Sequence, residues 1–356
     1  MIDASLFDKI KNRIVEIDST LLLCMKQMDT EGIKLLMVFA DDKFIGILTL
    51  GDIQRSIIKK VALSDSISNI IDRNKLYGLP SDTLAEIKSK MFAIRAECVP
   101  VVDKQGNLID VYFWNDLFAD NEVVDAREKL DLPVVVMAGG KGQRLQPLTN
   151  VIPKPLIPLD EKTIIEIIMD QFEAIGCSRF YISVNYKAEI IKYYLDNIPH
   201  KYNINFFKED KPLGTIGSVS LLKDKITTPF FVTNCDIIIE QDYRDVYDYH
   251  ISNKNDITIV TAIKSYSIPY GVIETGDNGM MIELNEKPEI SYMINTGVYI
   301  LQPELINEIP QNEFFHITHL IEKIRQQGGK IGCFPISEKS LTDIGQWDEY
   351  LKLIKK

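Results

Sequence analysis

Basic residues are in short supply in this chain. Of its 356 residues 51 are Asp or Glu and 40 are Lys or Arg, a formal net charge of -11. A surface built to hold nucleic acid shows the opposite balance, with clustered cations, so a nucleic-acid-binding protein is excluded while one local basic pocket is not. Cysteine is sparse as well. Cys24, Cys98, Cys177, Cys235 and Cys333 are odd in number, scattered and never spaced C-x-x-C, which argues against a disulfide framework or a zinc knuckle and suits a reducing cytosol. Long apolar runs are missing too: no segment reaches the roughly 18 consecutive apolar residues of a membrane span. The opening Met1-Ile2-Asp3-Ala4-Ser5 lacks the basic region and apolar stretch of a signal peptide. The expectation is a cytoplasmic protein with no membrane and no nucleic acid among its partners. What the chain does have is length and 46% hydrophobic residues, more than one ordinary core organises, so two domains are expected.

The first third carries an internal repeat. Laying Asp18-Ser19-Thr20-Leu21 over Ser81-Asp82-Thr83-Leu84 aligns two copies of one plan. In each, a helical stretch with Met28 or Met91 leads to an apolar strand, Leu35 to Ala40 or Cys98 to Val102, then a turn and a second apolar strand. Each copy closes on an acidic residue entering a helix, Asp52 or Asp116, where Ser, Thr and Asp satisfy exposed N–H groups. The polar run that follows ends the repeats and places a linker at 123–131. Beyond it, apolar runs alternate with helical periodicity: strands at 133–138, 180–185, 204–208 and 230–234, and helices at 163–175 and 189–195. That alternation predicts a largely parallel sheet with helices on both faces. Asp277-Asn278-Gly279 between two apolar runs reads as a hairpin in or beside it.

The strongest local signal is Met137-Ala138-Gly139-Gly140-Lys141-Gly142-Gln143-Arg144-Leu145-Gln146-Pro147-Leu148-Thr149, directly after an apolar strand. Glycines there let backbone N–H groups approach phosphate oxygens, and Lys141 and Arg144 add positive charge. Neither the dinucleotide fingerprint nor the G-x-x-x-x-G-K-[ST] phosphate loop fits. Pro153-Lys154-Pro155 then sets a lysine between two rigid residues.

With A-G-G-x-G-x-R-L-x-P-L-T followed by P-K-P, the chain resembles the sugar-phosphate nucleotidyltransferases from about residue 132 to its end; Gln143 stands where that family carries Thr or Ser. The resemblance implies an α/β, Rossmann-like (GT-A-type) domain at 132–356 with a mixed, mainly parallel sheet. Ala138 to Arg144 would line the nucleotide, with Arg144, Lys154 and Asp236 as the catalytic residues. It places Mg²⁺ on Asp236, which ends Phe230-Phe231-Val232-Thr233-Asn234-Cys235-Asp236, and on Asp343, although Cys235 replaces a more usual Gly. A structural Asp after a strand would otherwise be a turn or helix cap. Two carboxylates suffice for Mg²⁺, which takes its other oxygens from water and phosphate.

By the same resemblance, Gly271, Glu286-Lys287-Pro288 and Asn295-Thr296-Gly297 form the sugar phosphate pocket. Glu209, Pro212, Gly214 and Thr215 form the base-contacting loop. An ionised carboxylate at Glu209 suits guanine, which presents paired N–H donors, better than thymine or uracil. The other reading of Glu209 is a side chain facing solvent. His316 and His319 are read as surface or packing residues, because further metal ligands are not identifiable.

Residues 1–122, divided near residue 62, resemble a tandem CBS pair, an α+β module that commonly binds adenine nucleotides with the aspartate of T-x-x-D on ribose. Thr49 and Asp52 keep that element, while Phe113 stands in the Thr position before Asp116. An adenine nucleotide effector and a purely architectural or dimerising module are both open, and a homo-oligomer is expected. Bacterial glucosamine-1-phosphate guanylyltransferases of legionaminic acid synthesis share this arrangement, so the implied reaction joins GTP and glucosamine 1-phosphate. Mannose 1-phosphate with GTP, and thymidylyl, uridylyl or cytidylyl transfer to glucose 1-phosphate, are the alternatives. The other functional class is a nonenzymatic sugar-nucleotide sensor.

Overall fold

A computed structural model describes residues 4–72, 75, 77–94, 96–118, 129–199, 202–345 and 347–354. The chain divides into two compact units, Met1–Arg127 and Glu128–Lys356. Positions 123–128 of the expected linker lie outside the described residues.

The first unit contains α1 (Ala4–Ile10), β1 (Ile14–Glu16), α2 (Leu21–Glu31), β2 (Leu35–Ala40), β3 (Lys43–Thr49) and α3 (Leu50–Ile58), followed by α4 (Leu84–Ile94), β4 (Cys98–Val102), β5 (Leu108–Phe113) and α5 (Trp114–Phe118). Helix α2 starts where the Thr20 side chain accepts from Leu23 N and stops at Gly32, whose φ of 64° is left-handed. In the first copy β1 pairs parallel with β2, and β2 antiparallel with β3. In the second, a bridge sets Gly78 parallel to Val101, and β4 pairs antiparallel with β5. The two copies therefore repeat one topology.

The second unit contains β6 (Pro133–Met137), β7 (Pro158–Leu159), β8 (Lys162–Thr163), α6 (Ile164–Ala174), β9 (Arg179–Val184), α7 (Ala188–Asn197), β10 (Asn203–Lys208), β11 (Phe230–Asn234), β12 (Ile237–Ile239) and α8 (Tyr243–Asn253). It continues with β13 (Ile257–Ser267), β14 (Val272–Thr275), β15 (Met281–Asn285), β16 (Glu289–Leu301), α9 (Ile317–Gln326), β17 (Ile331–Ser337), β18 (Leu341–Asp343) and α10 (Trp347–Ile354). Seven strands form one sheet in the order β10-β9-β6-β11-β16-β13-β17. Only β16 runs antiparallel to its neighbours, so this is a mixed α/β domain with a mainly parallel sheet.

Strand alternation puts Val134, Val136 and Phe231 in one core with α6, α7, α8 and α10, and Val135, Phe230 and Val232 in the other with α9. Both faces are thus dry, which explains strands that read as unbroken apolar runs. Phe172 of α6 stacks on Tyr243 of α8 at 4.3 Å and meets Phe231 at 5.0 Å. Winding from β6 goes outward to β10 on one side and resumes at β11 on the other. The carboxyl ends of β6 and β11 therefore flank the crevice where such sheets bind ligands. The hairpin around Asp277-Asn278-Gly279 is separate from this sheet: β14 and β15 form their own two-stranded ribbon.

Candidate active site

The glycine-rich turn leaves the end of β6 at the crevice. Ala138 N–H donates to Ser183 O and Tyr186 N–H to Gly139 O, which tie the turn to β9 and the segment after it. Gly142 has a left-handed φ of 62°, and a Cβ there would lie 2.9 Å from Thr149 Cγ2 and 3.1 Å from Lys154 Cβ. Thr149 Oγ1 in turn donates to Gly142 O, so glycine is needed both for its backbone and for the approach of the lysine segment. A Cβ at Gly140 would meet nothing within 4 Å, which leaves that stretch of backbone open to a ligand. Lys141, Gln143 and Arg144 are exposed around it.

Asp236 arrives from β11 and Asp343 from β18. Their neighbourhood is fixed by main chain: β12 pairs antiparallel with β18 at Ile237 and Asp343, and Ile344 N–H donates to Asp236 O. Asp343 Oδ1 accepts from Gly345 N–H at 2.8 Å. A Cβ on Gly345 would lie 2.7 Å from Asp343 Oδ1, 2.9 Å from Asp236 Oδ2 and 2.9 Å from the Arg144 guanidinium. Three residues far apart in sequence therefore converge on one glycine. Lys154, held in a short turn between Pro153 and Pro155, hydrogen bonds through Nζ to Asp236 Oδ2. Arg144 reaches the same oxygen at 4.0 Å. Burial, and secondarily Asp236 beside it, pushes the Cys235 thiol up to about 12, so this cysteine stays protonated and inert.

Among the described residues no group of three or more His, Cys, Asp or Glu is placed to hold a metal. Two converging carboxylates nevertheless fit a Mg²⁺ that takes its other oxygens from phosphates and water.

Glu209 does not face solvent. It is 5% exposed, with Oε1 accepting from Ser183 Oγ at 2.6 Å and Oε2 from Leu213 N–H at 3.1 Å. Oε1 lies 3.2 Å from where Gly139 would carry a Cβ, so the carboxylate sits directly beneath the glycine turn. The loop after it is held against the segment before α9. Gly214, φ 83°, would meet Phe315 O at 2.6 Å, and Thr215 Oγ1 accepts from Ile317 N–H at 2.9 Å. Pro212 is exposed there. His316 and His319 pack edge to face at 5.4 Å.

Of the sugar residues, Gly271, Glu286 and Lys287 lie exposed together at the open end of the β14–β15 ribbon, opposite its turn. A Cβ on Gly271 would come 3.0 Å from Glu286 Oε2. Asn295 is oriented by its own neighbours, accepting from Gly297 N–H and donating to Tyr299 OH. Thr296 departs from the expectation of a pocket wall. It is buried, and its hydroxyl donates to the carbonyl of Val260, the residue skipped where the β13–β16 register shifts between Ile259 and Thr261.

Sequence reasoning missed three contributors. Gly345 is the point of convergence. Asn234 approaches Gly297, φ 89°, so closely that a Cβ there would lie 2.5 Å from its side-chain nitrogen. Trp347 donates from Nε1 to Gln146 O at 3.0 Å, fastening the segment after Asp343 to the glycine turn.

In the first unit, the Asp52 carboxylate is fully engaged. It accepts from Thr49 N–H at 2.8 Å, Thr49 Oγ1 at 2.7 Å, Arg55 at 2.6 Å and Lys75. A ribose hydroxyl would have to displace one of them. Asp116 is half exposed and 3.5 Å from Lys9 Nζ.

The sequence profile of the family described as nucleotidyl transferase matches residues 133–356. The mannose-1-phosphate guanyltransferase of Saccharomyces cerevisiae is 35% identical over 187 residues, 49% of this chain and 51% of that protein. Its namesake from Pichia angusta is 36% identical over 229 residues, 61% and 62% of the two chains. The chain thus spans about half to three-fifths of the length of these curated relatives. The solved structure of HddC from Yersinia pseudotuberculosis is 27% identical, with a TM-score of 0.48, and covers 63% of this chain and 98% of its own.

Proposed function

Since this chain belongs to the nucleotidyl transferase family, we propose that it joins GTP to a sugar 1-phosphate, specifically glucosamine 1-phosphate, and releases pyrophosphate. The observation that carries this reading is the convergence of Arg144, Lys154, Asp236 and Asp343 around Gly345 at the carboxyl ends of β6 and β11. The nucleophile, a phosphate oxygen of the sugar 1-phosphate, is already anionic, so no Ser, Cys or strong base is needed. It attacks the α-phosphorus in line; the new O–P bond forms as the bond to the β-phosphate bridge breaks, and pyrophosphate departs with that electron pair. Mg²⁺ on Asp236 and Asp343 would gather phosphate oxygens and neutralise the charge that builds up in this step. The chain itself positions and stabilises. Backbone N–H groups of the glycine turn receive the triphosphate, Arg144 and Lys154 counter its charge, and Lys287 and Glu286 hold the phosphate and hydroxyls of the sugar.

Guanine rests on Glu209, whose buried carboxylate has lone pairs beyond those taken by Ser183 and Leu213. The guanyltransferase names of the relatives support the same base. Those names also favour a second reading of the sugar, mannose 1-phosphate. The first unit is read as a CBS pair that regulates the transferase through an adenine nucleotide, and the product as a GDP-sugar for surface glycans such as legionaminic acid.

One assay tests the whole reading: pyrophosphate release across GTP, ATP, UTP, CTP and dTTP against glucosamine, mannose and glucose 1-phosphates, with and without Mg²⁺. Turnover is expected with GTP and glucosamine 1-phosphate and to need the metal. Faster turnover with mannose 1-phosphate selects the second sugar, and no release from any pair removes the enzyme altogether.

A further inference from the structure

Asp236 is 8% exposed, and a carboxylate withdrawn that far from water needs a positive partner. Its partner is Lys154, whose side chain is equally withdrawn at 11% exposure and whose Nζ lies on Oδ2. That is the oxygen shared with Arg144 and the one facing Gly345. Asp343 offers its Oδ1 to Gly345 N–H instead. Two carboxylates and two side-chain cations thus close on one another, and their formal charges sum to zero. A bare divalent ion entering this group finds no net negative charge, and an ammonium already occupies the oxygen it needs. A triphosphate changes both conditions at once. Its oxygens give Lys154 and Arg144 a new anion, and the Asp236 oxygen is released as the negative charge arrives.

We propose that Lys154 is a resident counter-cation that holds Asp236 in place and closes the pair of aspartates to bare divalent ions until a nucleoside triphosphate draws the ammonium away. This rests on the reading of Asp236 and Asp343 as cation ligands. Its consequence is an order of events: metal and nucleotide enter together, and the empty enzyme ignores metal. The two prolines flanking Lys154 matter here. They fix where the ammonium starts, so the swing from carboxylate to phosphate is made by the side chain alone.

The test is Mn²⁺ alone, titrated without nucleotide into the full chain and followed by the loss of free-ion paramagnetic resonance. Wild type is expected to bind it weakly. Lys154→Met should bind at least tenfold more tightly, Lys154→Arg should behave as wild type, and adding Asp343→Asn to Lys154→Met should abolish the gain. Should Lys154→Met fail to fold, Lys154→Gln keeps a hydrogen-bond donor on Asp236 without the charge and carries the same expectation. Equal Mn²⁺ affinity in wild type and in the neutral variants overturns the proposal. Failure of the underlying ligand reading is a different result, normal pyrophosphate release by Asp236→Asn, which no outcome of the Mn²⁺ titration imitates.

Discussion

Two aspartates in this protein are paired with lysine within three residues after a strand, Asp52 in the first unit and Asp236 in the second, and they do opposite work. Asp52 accepts from four donors, two from Thr49 and one each from Arg55 and Lys75. Burial pushes its carboxyl up, but the hydrogen bonds from Lys75 and Thr49 outweigh it, and the group titrates below the usual carboxylate range. That is a helix start closed on itself, with Thr49 and Asp52 capping each other's backbone N–H. Among the described residues the side chain of Asp236 has one hydrogen-bond partner, Lys154, and it faces a glycine rather than a wall. Saturation makes a carboxylate part of the scaffold. A single exchangeable partner among converging charged groups makes it a site.

The sharpest way to break this comparison is to neutralise both residues. Asp236→Asn should lower kcat by about a thousandfold or more, in line with removing one charged group from transition-state stabilisation, while the thermal melt stays cooperative. Near-normal turnover would remove Asp236 from the chemistry. Next in size is Gly345→Ala. The new methyl would lie 2.7 to 2.9 Å from Asp343, Asp236 and Arg144 and should displace them, at a loss of about a hundredfold in kcat. If Gly345→Ala turns over like wild type, the convergence on this glycine is incidental.

Asp52→Asn is the opposing arm. It should leave kcat of the transferase within a factor of two, since it removes nothing from the second unit, yet destabilise the first by about 1–3 kcal/mol through the lost cap and ion pairs. A denaturant melt that reports the units separately checks this. An unchanged first transition would mean that the four bonds to Asp52 contribute nothing.

His250 extends the contrast to pH. It is fully buried, its Nδ1 donates to Thr258 Oγ1 at 2.8 Å, and its Nε2 accepts from Gln302 at 3.1 Å. Burial holds its pKa down at about 4 against an unperturbed 6.5, with Asp256 opposing weakly. The folded value lies below the unfolded one, so the contribution is complete above pH 6.5 and is lost as pH falls from 6.5 toward 4. The melting temperature of wild type should therefore drop more steeply across that window than that of His250→Gln, and parallel curves would contradict the assignment.

How much of this was legible in the sequence depends on distance along the chain. The glycine turn, Lys154 and Asp236 announced themselves because their chemistry sits among covalent neighbours, and the apolar runs at β6, β9, β10 and β11 gave the parallel half of the sheet. Gly345 and Trp347 were silent. Their roles arise from contacts with Arg144 and Gln146 some two hundred residues away, and no local pattern encodes them. Thr296 shows the other limit. Its motif was readable, but its direction was set by a register shift in the β13–β16 ladder that only pairing creates. Glu209 was recognised as a candidate while its burial was not, because the serine that anchors it comes from a different strand.

The smallest effect sharpens the comparison from the side of a polar group that is unsatisfied without being a site. Tyr243 is 1% exposed and its ring stacks on Phe172, but its hydroxyl has no hydrogen-bond partner among the described residues. Burial pushes that phenol far up, so it stays neutral. Unlike Asp236, it faces apolar core rather than other charged groups, and no ligand can reach it. An unpaired buried hydroxyl is a cost with no return in binding, so Tyr243→Phe, which keeps the stacking, should be neutral or stabilising by about 0.5–1 kcal/mol. Denaturant melts resolve a change of that size. A loss of more than about 1 kcal/mol would mean that the hydroxyl has a partner in solution, such as a bound water, and the orphan belongs with the satisfied scaffold instead.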